Sequence, residues 1–481
     1  MQGTCEAAGM RVNGCQYSDV GSSMAWRWAH GAFSESELPD RRLVRRAMRV
    51  ASDWAVLPGM ALGRASGDQA GSKAGYRLLG NRDVTSEALA GGVFEEATRR
   101  CVGEGTVFVA QDTTTLSYGH RGPIEGLGPV TTSGAQGLLV HSSLAVLPSG
   151  VPVGLLDQRV WTRCKGKVED RKQRPIEEKE SRKWLDGIHG SVARFLEAGG
   201  EASSLVFLFD REGDIQEVFE TALETGVDVI VRSSQVRSVA EGDGLLDGAL
   251  RSQAPCGAYT ISVPRQKGGR PSRRATLTVR HARLTLHRTR KRAGDPEPLV
   301  IYGVLVTEED PPAGEDGLEW RLLTTRAVKS YDDAVGVAWA YSLRWRVEEF
   351  HLVLKSGCRM EAQQYESAET LAKALAVLSG VATLILRLTY LARTQPDAPA
   401  TLVLDAFAVG VLQAVAESRL RERAHGPPTL GQVVRWIGRL GGHSGRNSDG
   451  PPGVRSLWRG WRDLELILMG ARAAVSMRRC G

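Results

Sequence analysis

The stretch YSLRWRVEEFHLVLKSG, residues 341–357, carries the most information in this chain. Its apolar positions recur at three- and four-residue steps and close a helical pattern that begins near residue 331. Ser330, with Asp333 three residues on, predicts an N-terminal cap, and Asp332 and Asp333 suit the positive end of the helix dipole. Lys355 and Gly357 suit the other end. One helix over 331–356 is therefore expected. Tyr341, Arg344, Glu348 and Lys355 stand at offsets 0, 3, 7 and 14, so one stripe displays a phenol, two cations and an acid. Such a stripe is commonly a solvated face laced with ion pairs. The same groups also match phosphodiester chemistry, with the acid for metal, the cations for phosphate and the phenol to donate or stack. Glu349 competes with Glu348 for the metal role, and spacing does not separate them.

Upstream lie two further acids. Asp112 follows a strand pattern over 107–110 within AQDTTTLSY, and Asp210 ends the apolar run LVFLF at 205–209, which reads as a buried central strand. Acids at the carboxyl ends of such strands are where α/β sheets place sites, and they are costly there without a cation or donors. Asp210 equally reads as a cap on the loop that follows. Strands over 138–146 and 151–160, joined through Pro148, Ser149 and Gly150, predict a hairpin. Helices over 177–197 and 215–224, with a strand at 227–231, complete a βαβ-like unit, so the fold class is α/β.

Residues 236–320 read as a separate β-rich block, with strands at 275–286 and 299–306. Basic clusters flank the first of these: Arg265, Lys267, Arg270, Arg273 and Arg274, then Arg288, Arg290, Lys291 and Arg292. A strand at 321–325 resumes after the block. Toward the N-terminus, 25–91 reads as short helices in which Arg41, Arg42 and Arg45 lie on a broad face, suited to a DNA backbone or simply solvated. From 394 the chain is helical with breaks at 426–428 and 441–453. It ends in the apolar stripe Leu457, Trp461, Leu464 and Leu468, suited to core or partner packing.

Composition sets outer bounds. The chain has 481 residues, 42% hydrophobic and 24% charged, which excludes a disordered or fibrous protein and suits about three domains. A net charge of +7, with Arg in excess of Lys, suits a polyanionic partner. The seven cysteines (Cys5, Cys15, Cys101, Cys164, Cys256, Cys358, Cys480) are scattered, and no H-E-x-x-H string occurs, so a metal here needs oxygen ligands. The longest apolar stretch, 376–391, is broken by Ser379, Gly380 and Arg387 and falls short of the ~20 residues of a membrane span. With no signal-peptide layout at the N-terminus, a cytoplasmic chain is expected.

The strings DTTTLSY from Asp112, DREGDI from Asp210, IVRS from Ile230 and YSLRWRVEEFHLVLKSG from Tyr341 together resemble the DDE transposases of bacterial cut-and-paste insertion sequences, in the IS-four group. The last string holds that group's Y-(2)-R-(3)-E-(6)-K signature as Tyr341, Arg344, Glu348 and Lys355. Weaker likeness extends to GSKAGYR at 71–77, EKESRKWL at 178–185, EWRLLT at 319–324 and LWRGW at 457–461. The segments 55–65 and 163–174 diverge, and likeness is thin over 392–454.

The resemblance implies an RNase H-like catalytic core, a mixed sheet flanked by helices, over 92–235 and 321–393. It also implies a β-rich insertion at 236–320, a helical DNA-end-binding domain over 25–91 and a helical dimerisation region over 394–481. Residues 1–24 read as an extension ahead of the family's start. Asp112, Asp210 and Glu348 become the catalytic, metal-binding triad, with Glu348 chosen over Glu349. The implied cofactor is a pair of Mg²⁺ ions, with Mn²⁺ as a substitute. The implied partners are double-stranded DNA, at transposon ends and target, and a second copy of the chain.

Carried over by the same resemblance, Arg344 and Lys355 bind end phosphates with Tyr341 beside them, and Arg232 lies near the site. Trp320 matches a tryptophan on which a flipped base stacks, ordinary core packing being its other reading. His351, about one turn beyond Glu348, ranks lower. Arg41, Arg42 and Arg45 are retained in the end-binding region. The implied chemistry is hydrolysis, hairpin formation and strand transfer. Two alternatives remain, a catalytically silent end-binding regulator and an RNase H-like nuclease without strand transfer. The intact triad argues against the first, and Trp320 with the basic insertion argues against the second.

Overall fold

The computed structural model describes residues 24–119, 124–131, 133–163, 174–264, 271–287, 298–446 and 449–480. The leading extension up to residue 23, most of the divergent 163–174 segment, and Arg265, Lys267, Arg270, Arg288, Arg290, Lys291 and Arg292 lie outside the described residues. The chain forms two compact units, one built from both chain ends (up to Leu89, and from Leu391), the other from Ala90–Tyr390.

In the first unit, α1 (Met24–Phe33), α2 (Arg41–Val56), α3 (Leu62–Ala65) and α4 (Gln69–Leu79) are the expected short helices. Asp40 caps α2 by accepting from the Arg42 and Leu43 amides, and Leu43, Ala47, Val50, Ala51 and Trp54 supply its buried stripe. The division between units falls inside α5 (Ser86–Cys101).

The second unit is a mixed α/β array. Along the chain come β1 (Val107–Gly119), β2 (Gly128–Pro129), β3 (Gln136–Val146), β4 (Pro152–Trp161), α6 (Arg182–Glu197), β5 (Leu205–Phe209), α7 (Gln216–Thr225) and β6 (Asp228–Arg232). Next are α8 (Leu246–Arg251), β7 (Gly257–Val263), β8 (Arg273–Leu286), β9 (Leu299–Thr307) and β10 (Glu319–Thr324). The unit closes with α9 (Tyr331–Ser342), α10 (Trp345–Leu352) and α11 (Ala368–Thr394). One ten-stranded sheet runs β2-β3-β1-β5-β6-β10-β9-β8-β7, with β4 on β3. Among the described strands, β1–β5 and β5–β6 pair in parallel and the other pairs are antiparallel. The hairpin joining β3 and β4 turns at Gly150, whose φ of +81° explains a glycine there.

Several elements differ from the sequence reading. β1 runs through Asp112 to Gly119, because Thr113, Thr114 and Thr115 are good strand formers and pair continuously with β3. The block at 236–320 does not stand apart: β9 pairs with β10, so β7, β8 and β9 extend the core sheet. Of its basic residues, Arg273 is taken up by Glu308 and Glu315. The helix expected over 331–356 is interrupted at Leu343 and Arg344, where Leu343, Arg344, Arg346 and Val347 donate to carbonyls three residues back. It then widens into a π-turn over Val353–Gly357. The expected cap is present, with Ser330 and Asp333 forming a reciprocal capping box.

Returning to the first unit, α12 (Ala406–Val415), α13 (Leu430–Leu440) and α14 (Val454–Cys480) complete the chain. Leu457, Trp461, Leu464 and Leu468 of α14 are all buried within it, so the final apolar stripe is core. The Trp461 indole donates to the Ala55 carbonyl at 3.1 Å, fastening α14 to α2. Of the described helices, α11 alone is long and apolar enough to cross a membrane, and 89% of its apolar window is buried inside the fold.

The sheet's core is centred on β5. Phe207 and Phe209 stack at 6.2 Å, and Trp184 of α6 meets Phe209 edge-on at 5.5 Å. Phe207 is fully buried. Phe207→Ala should therefore lower the unfolding free energy of the sheet unit by about 3–5 kcal/mol. Denaturant unfolding followed by far-UV circular dichroism measures this, and a loss below 1 kcal/mol would contradict the packing described.

Candidate active site

The parallel strands supply the first part of the site. β1 and β5 pair with Ala110 opposite Leu208, so just past the point where that pairing stops, Asp112 on the continuing β1 and Asp210 beyond the end of β5 lie near one another. β5 and β6 pair with Phe209 opposite Val231, which brings Arg232 beside Asp210. A row of acid, acid and cation thus forms where parallel strands end. Asp210 also caps the short turn Arg211–Gly213, its Oδ1 accepting from the Glu212 amide at 2.9 Å. The capping reading of that residue is thus present in the structure.

α9 and α10 bring the second part. Tyr341 is buried in the last turn of α9 and meets the Trp320 ring of β10 at 6.2 Å, roughly edge-on. Arg344 sits in the interruption between the helices and donates to Glu348 Oε1 at 2.6 Å. Burial works against the Arg344 charge, but Tyr341, Glu348 and Asp112 around it outweigh burial and hold it protonated. Burial lowers the proton affinity of Arg232, with Arg211 and Arg344 adding repulsion. Burial raises that of the Tyr341 hydroxyl, against the pull of Arg344 and Arg232.

Asp112 feels the whole cluster. Its carboxyl is pushed up to about 6, first by burial, then by Asp210 and Glu348, against the Thr113 amide and Arg344. The Thr113 amide donates to it at 2.8 Å. Glu349 is absent from this surround; its carboxylate accepts from the Tyr390 hydroxyl and pairs with Arg346 at 3.5 Å. Geometry therefore separates the two glutamates that spacing left equal.

Lys355 lies further along β1. Its ammonium donates to the Thr115 carbonyl at 2.8 Å and stands 3.7 Å from Glu361, which in turn accepts from the Ser117 amide. The π-turn at 353–357 carries it there. His351 is buried, 3.7 Å from Asp112 and 3.3 Å from the Ser142 hydroxyl. Burial, helped by Lys355, lowers its pKa to about 3, so it meets Asp112 as a neutral ring. Trp320, Tyr341, Arg344, Arg232 and the three acids are thus neighbours, while Lys355 sits to one side.

Beneath β1 lies a polar layer that the sequence did not single out. Thr113 Oγ1 and His141 Nδ1 are 2.9 Å apart. With its amide nitrogen toward His141, Gln111 donates to His141 Nε2 (2.9 Å) and the Trp184 carbonyl, and accepts from Ser143 and Ile188. Gln111 and Thr113 flank Asp112 in sequence and point to the opposite face. The adjacent strings AQDT and VHSS were its only trace.

Among the described residues, no three His, Cys, Asp or Glu side chains are gathered closely enough to hold a metal ion. The donor chemistry of Asp112, Asp210 and Glu348 fits a hard divalent cation, being all carboxylate oxygen. Their arrangement leaves Glu348 engaged by Arg344.

In the other unit, Arg41, Arg42 and Arg45 are exposed in the first turns of α2. Cations at that end oppose the helix dipole, so they do not serve helix stability.

Comparison with known families matches both chain ends. Residues 25–84 match the transposase DNA-binding domain, and residues 380–481 match the Tn5 transposase dimerisation domain. The acids lie between the two matched regions. The two matches support a DNA transposase, one that binds DNA and pairs with a second copy. Among transposases it is Tn5-like.

The raised Asp112 carboxyl has a consequence for stability. In the unfolded chain it loses its proton near 3.8, in the fold near 6, so between those values the folded state binds more protons. Stability contributed by this group therefore falls as pH rises through that window, reaching a penalty of about 3 kcal/mol above it. Asp112→Asn should raise the unfolding temperature of the metal-free protein at pH 7.5 but not at pH 4. Thermal unfolding at both values checks this; equal shifts would contradict the buried, crowded carboxyl.

Proposed function

We propose that this transposase carries out cut-and-paste transposition of an insertion sequence, by metal-dependent phosphodiester hydrolysis, hairpin formation and strand transfer at the element's ends. The observation that carries the reading is the neighbourhood of Asp112, Asp210 and Glu348 with Arg344, Tyr341, Arg232 and Trp320, where the parallel pairing of a mixed sheet stops. The order β4-β3-β1-β5-β6, antiparallel then parallel, supports an RNase H-like core for it.

On this reading Asp112, Asp210 and Glu348 hold two Mg²⁺ ions, for which Mn²⁺ substitutes. Bound there, the ions supply activation of the attacking oxygen and neutralisation of charge on the leaving oxygen. The residues of the chain position the DNA. Arg344 and Lys355 bind phosphates of the element end, and an end phosphate that takes up Arg344 releases Glu348 from its ion pair. Tyr341 donates to the same backbone or stacks beside it, and Arg232 adds a cation at the strand ends.

Water attacks first and frees a 3′-hydroxyl. That hydroxyl attacks the opposite strand to give a hairpin, and Trp320 stacks the base extruded at the sharp turn. After reopening, the 3′-hydroxyl joins target DNA. Arg41, Arg42 and Arg45 bind the ends, and the working assembly is a synaptic homodimer on two ends in the cytoplasm.

The test uses the full chain with a duplex carrying the inverted repeats that flank its gene, and Mg²⁺. Nicked, hairpin and joined products are expected. End binding without any product would overturn the reading in favour of a silent regulator, and nicks alone would favour a nuclease without strand transfer. Asp112→Ala, Asp210→Ala and Glu348→Ala should each abolish cleavage and leave end binding intact; normal cutting by one removes that residue from the triad. Arg41→Ala, Arg42→Ala and Arg45→Ala should each weaken end binding and reduce its log–log salt slope by about 1. Binding isotherms across a salt series measure this.

A further inference from the structure

The string DREGDI drew attention for Asp210, yet its second aspartate is the more fully buried. Asp214 is 1% exposed and lies outside the row of groups just described. Its Oδ2 accepts from the Ser234 amide at 2.7 Å, the Gln235 amide at 2.9 Å and the Ser233 hydroxyl at 3.3 Å. Its Oδ1 accepts from Arg237 Nε at 2.9 Å and Nη2 at 2.5 Å, and Arg237 Nη2 also reaches the Asp214 carbonyl at 2.9 Å. A buried carboxylate is expensive unless charge and donors compensate it, and here both do.

The bonds join two loops that are remote in sequence. One leaves β5 and begins with Asp210; the other leaves β6 just after Arg232. Ser234 Oγ adds a bond to the Arg211 carbonyl at 3.0 Å, and the Ser233 amide donates to Arg321 of β10 at 2.8 Å. Arg237 itself lies over the Phe219 ring of α7 at 5.5 Å, which fixes its guanidinium from behind.

Between Asp210 and Asp214 there is little slack. The turn Arg211–Gly213 is a single tight turn, and a Cβ on Gly213 would come within 2.6 Å of Phe209 Cβ, so the turn lies flush on the end of β5. A displacement at Asp214 is therefore passed to Asp210 on one side and to Arg232 on the other.

We propose that Asp214 is a positioning residue: with Arg237 it sets the spacing between Asp210 and Arg232, and so the distance from metal-binding acid to phosphate-binding cation. It touches neither DNA nor metal. The inference rests on the active-site reading given above.

The test compares the full-length wild type with Asp214→Asn and with the double variant Asp214→Asn/Arg237→Gln. In the single variant an amide NH₂ faces N–H donors. Hydrogen–deuterium exchange should quicken in 211–215 and 233–237 together and stay unchanged in the rest of the sheet. Binding to the inverted-repeat duplex should hold, while the Mg²⁺ concentration for half-maximal cleavage rises about 10- to 100-fold, the usual effect of losing an outer-shell partner. The double variant pairs two neutral amides and should recover part of that loss, a coupling that a double-mutant cycle measures.

Unchanged exchange in the two loops, or an unchanged Mg²⁺ requirement, would overturn the positioning role. So would parallel loss of end binding, thermal stability and cleavage, which marks a general core residue. A wild type that binds ends without cutting overturns the underlying active-site reading, and the positioning role falls with it. A cutting wild type beside an unaffected variant overturns the positioning role alone.

Discussion

The like charges of Asp112 within β1, Asp210 just past β5 and Glu348 on α10 must be kept from driving their neighbourhood apart, and this part of the sheet unit is organised around that requirement. Two unit charges at 4 Å interact by about 4 kcal/mol at the effective dielectric typical of protein surfaces, comparable to a good fraction of a domain's stability. Three acids meet the problem in three ways. Asp112 keeps its proton up to about pH 6, Glu348 is neutralised by Arg344, and Asp210 spends its charge on the turn that follows it. On the proposed reading a divalent cation would take the place of all three solutions.

Arg344 is the hinge of this balance. It lies in the interruption between α9 and α10, where carbonyls three residues back accept in place of those four back. That tighter turn rotates α10 relative to α9 and lets one guanidinium feel Tyr341, Glu348 and Asp112 at once. An uninterrupted helix would leave the four signature residues on a slowly drifting stripe. Function, on the proposed reading, then consists of an exchange of partners: phosphate for Glu348 at Arg344, and cation for proton at Asp112.

How much of this was legible depends on whether the deciding contact is local. The run at 205–209 matches β5, the hairpin at Pro148–Gly150 is present, and the βαβ step holds, because strand composition and turn chemistry are near-neighbour properties. The extent of β1 was missed because Gln111 and Asp112 break the apolar run before the strand-forming threonines, and the continuation is dictated by pairing with β3. The interruption at Leu343–Arg344 was invisible because both residues keep right-handed helical angles and the apolar rhythm continues through them. The joining of β9 to β10 and the separation of Glu348 from Glu349 rest on partners tens of residues away, such as Tyr390. Residue types named the candidates; only pairing across the sheet brought them together.

The positive charge of the chain can now be weighed residue by residue. Some of it is structural: Arg237 neutralises Asp214, and Arg273 is absorbed by Glu308 and Glu315. Other cations sit where folding gains little from them. Arg41, Arg42 and Arg45 crowd the positive end of a helix dipole, and Arg232 is held at the strand ends against burial and two neighbouring cations. Sequences agree with their folds at most positions and depart from that agreement where an outside partner completes the balance. On the proposed reading DNA would complete the balance at each of these positions, and their cost to stability then argues for a polyanion more strongly than the net charge of +7 does.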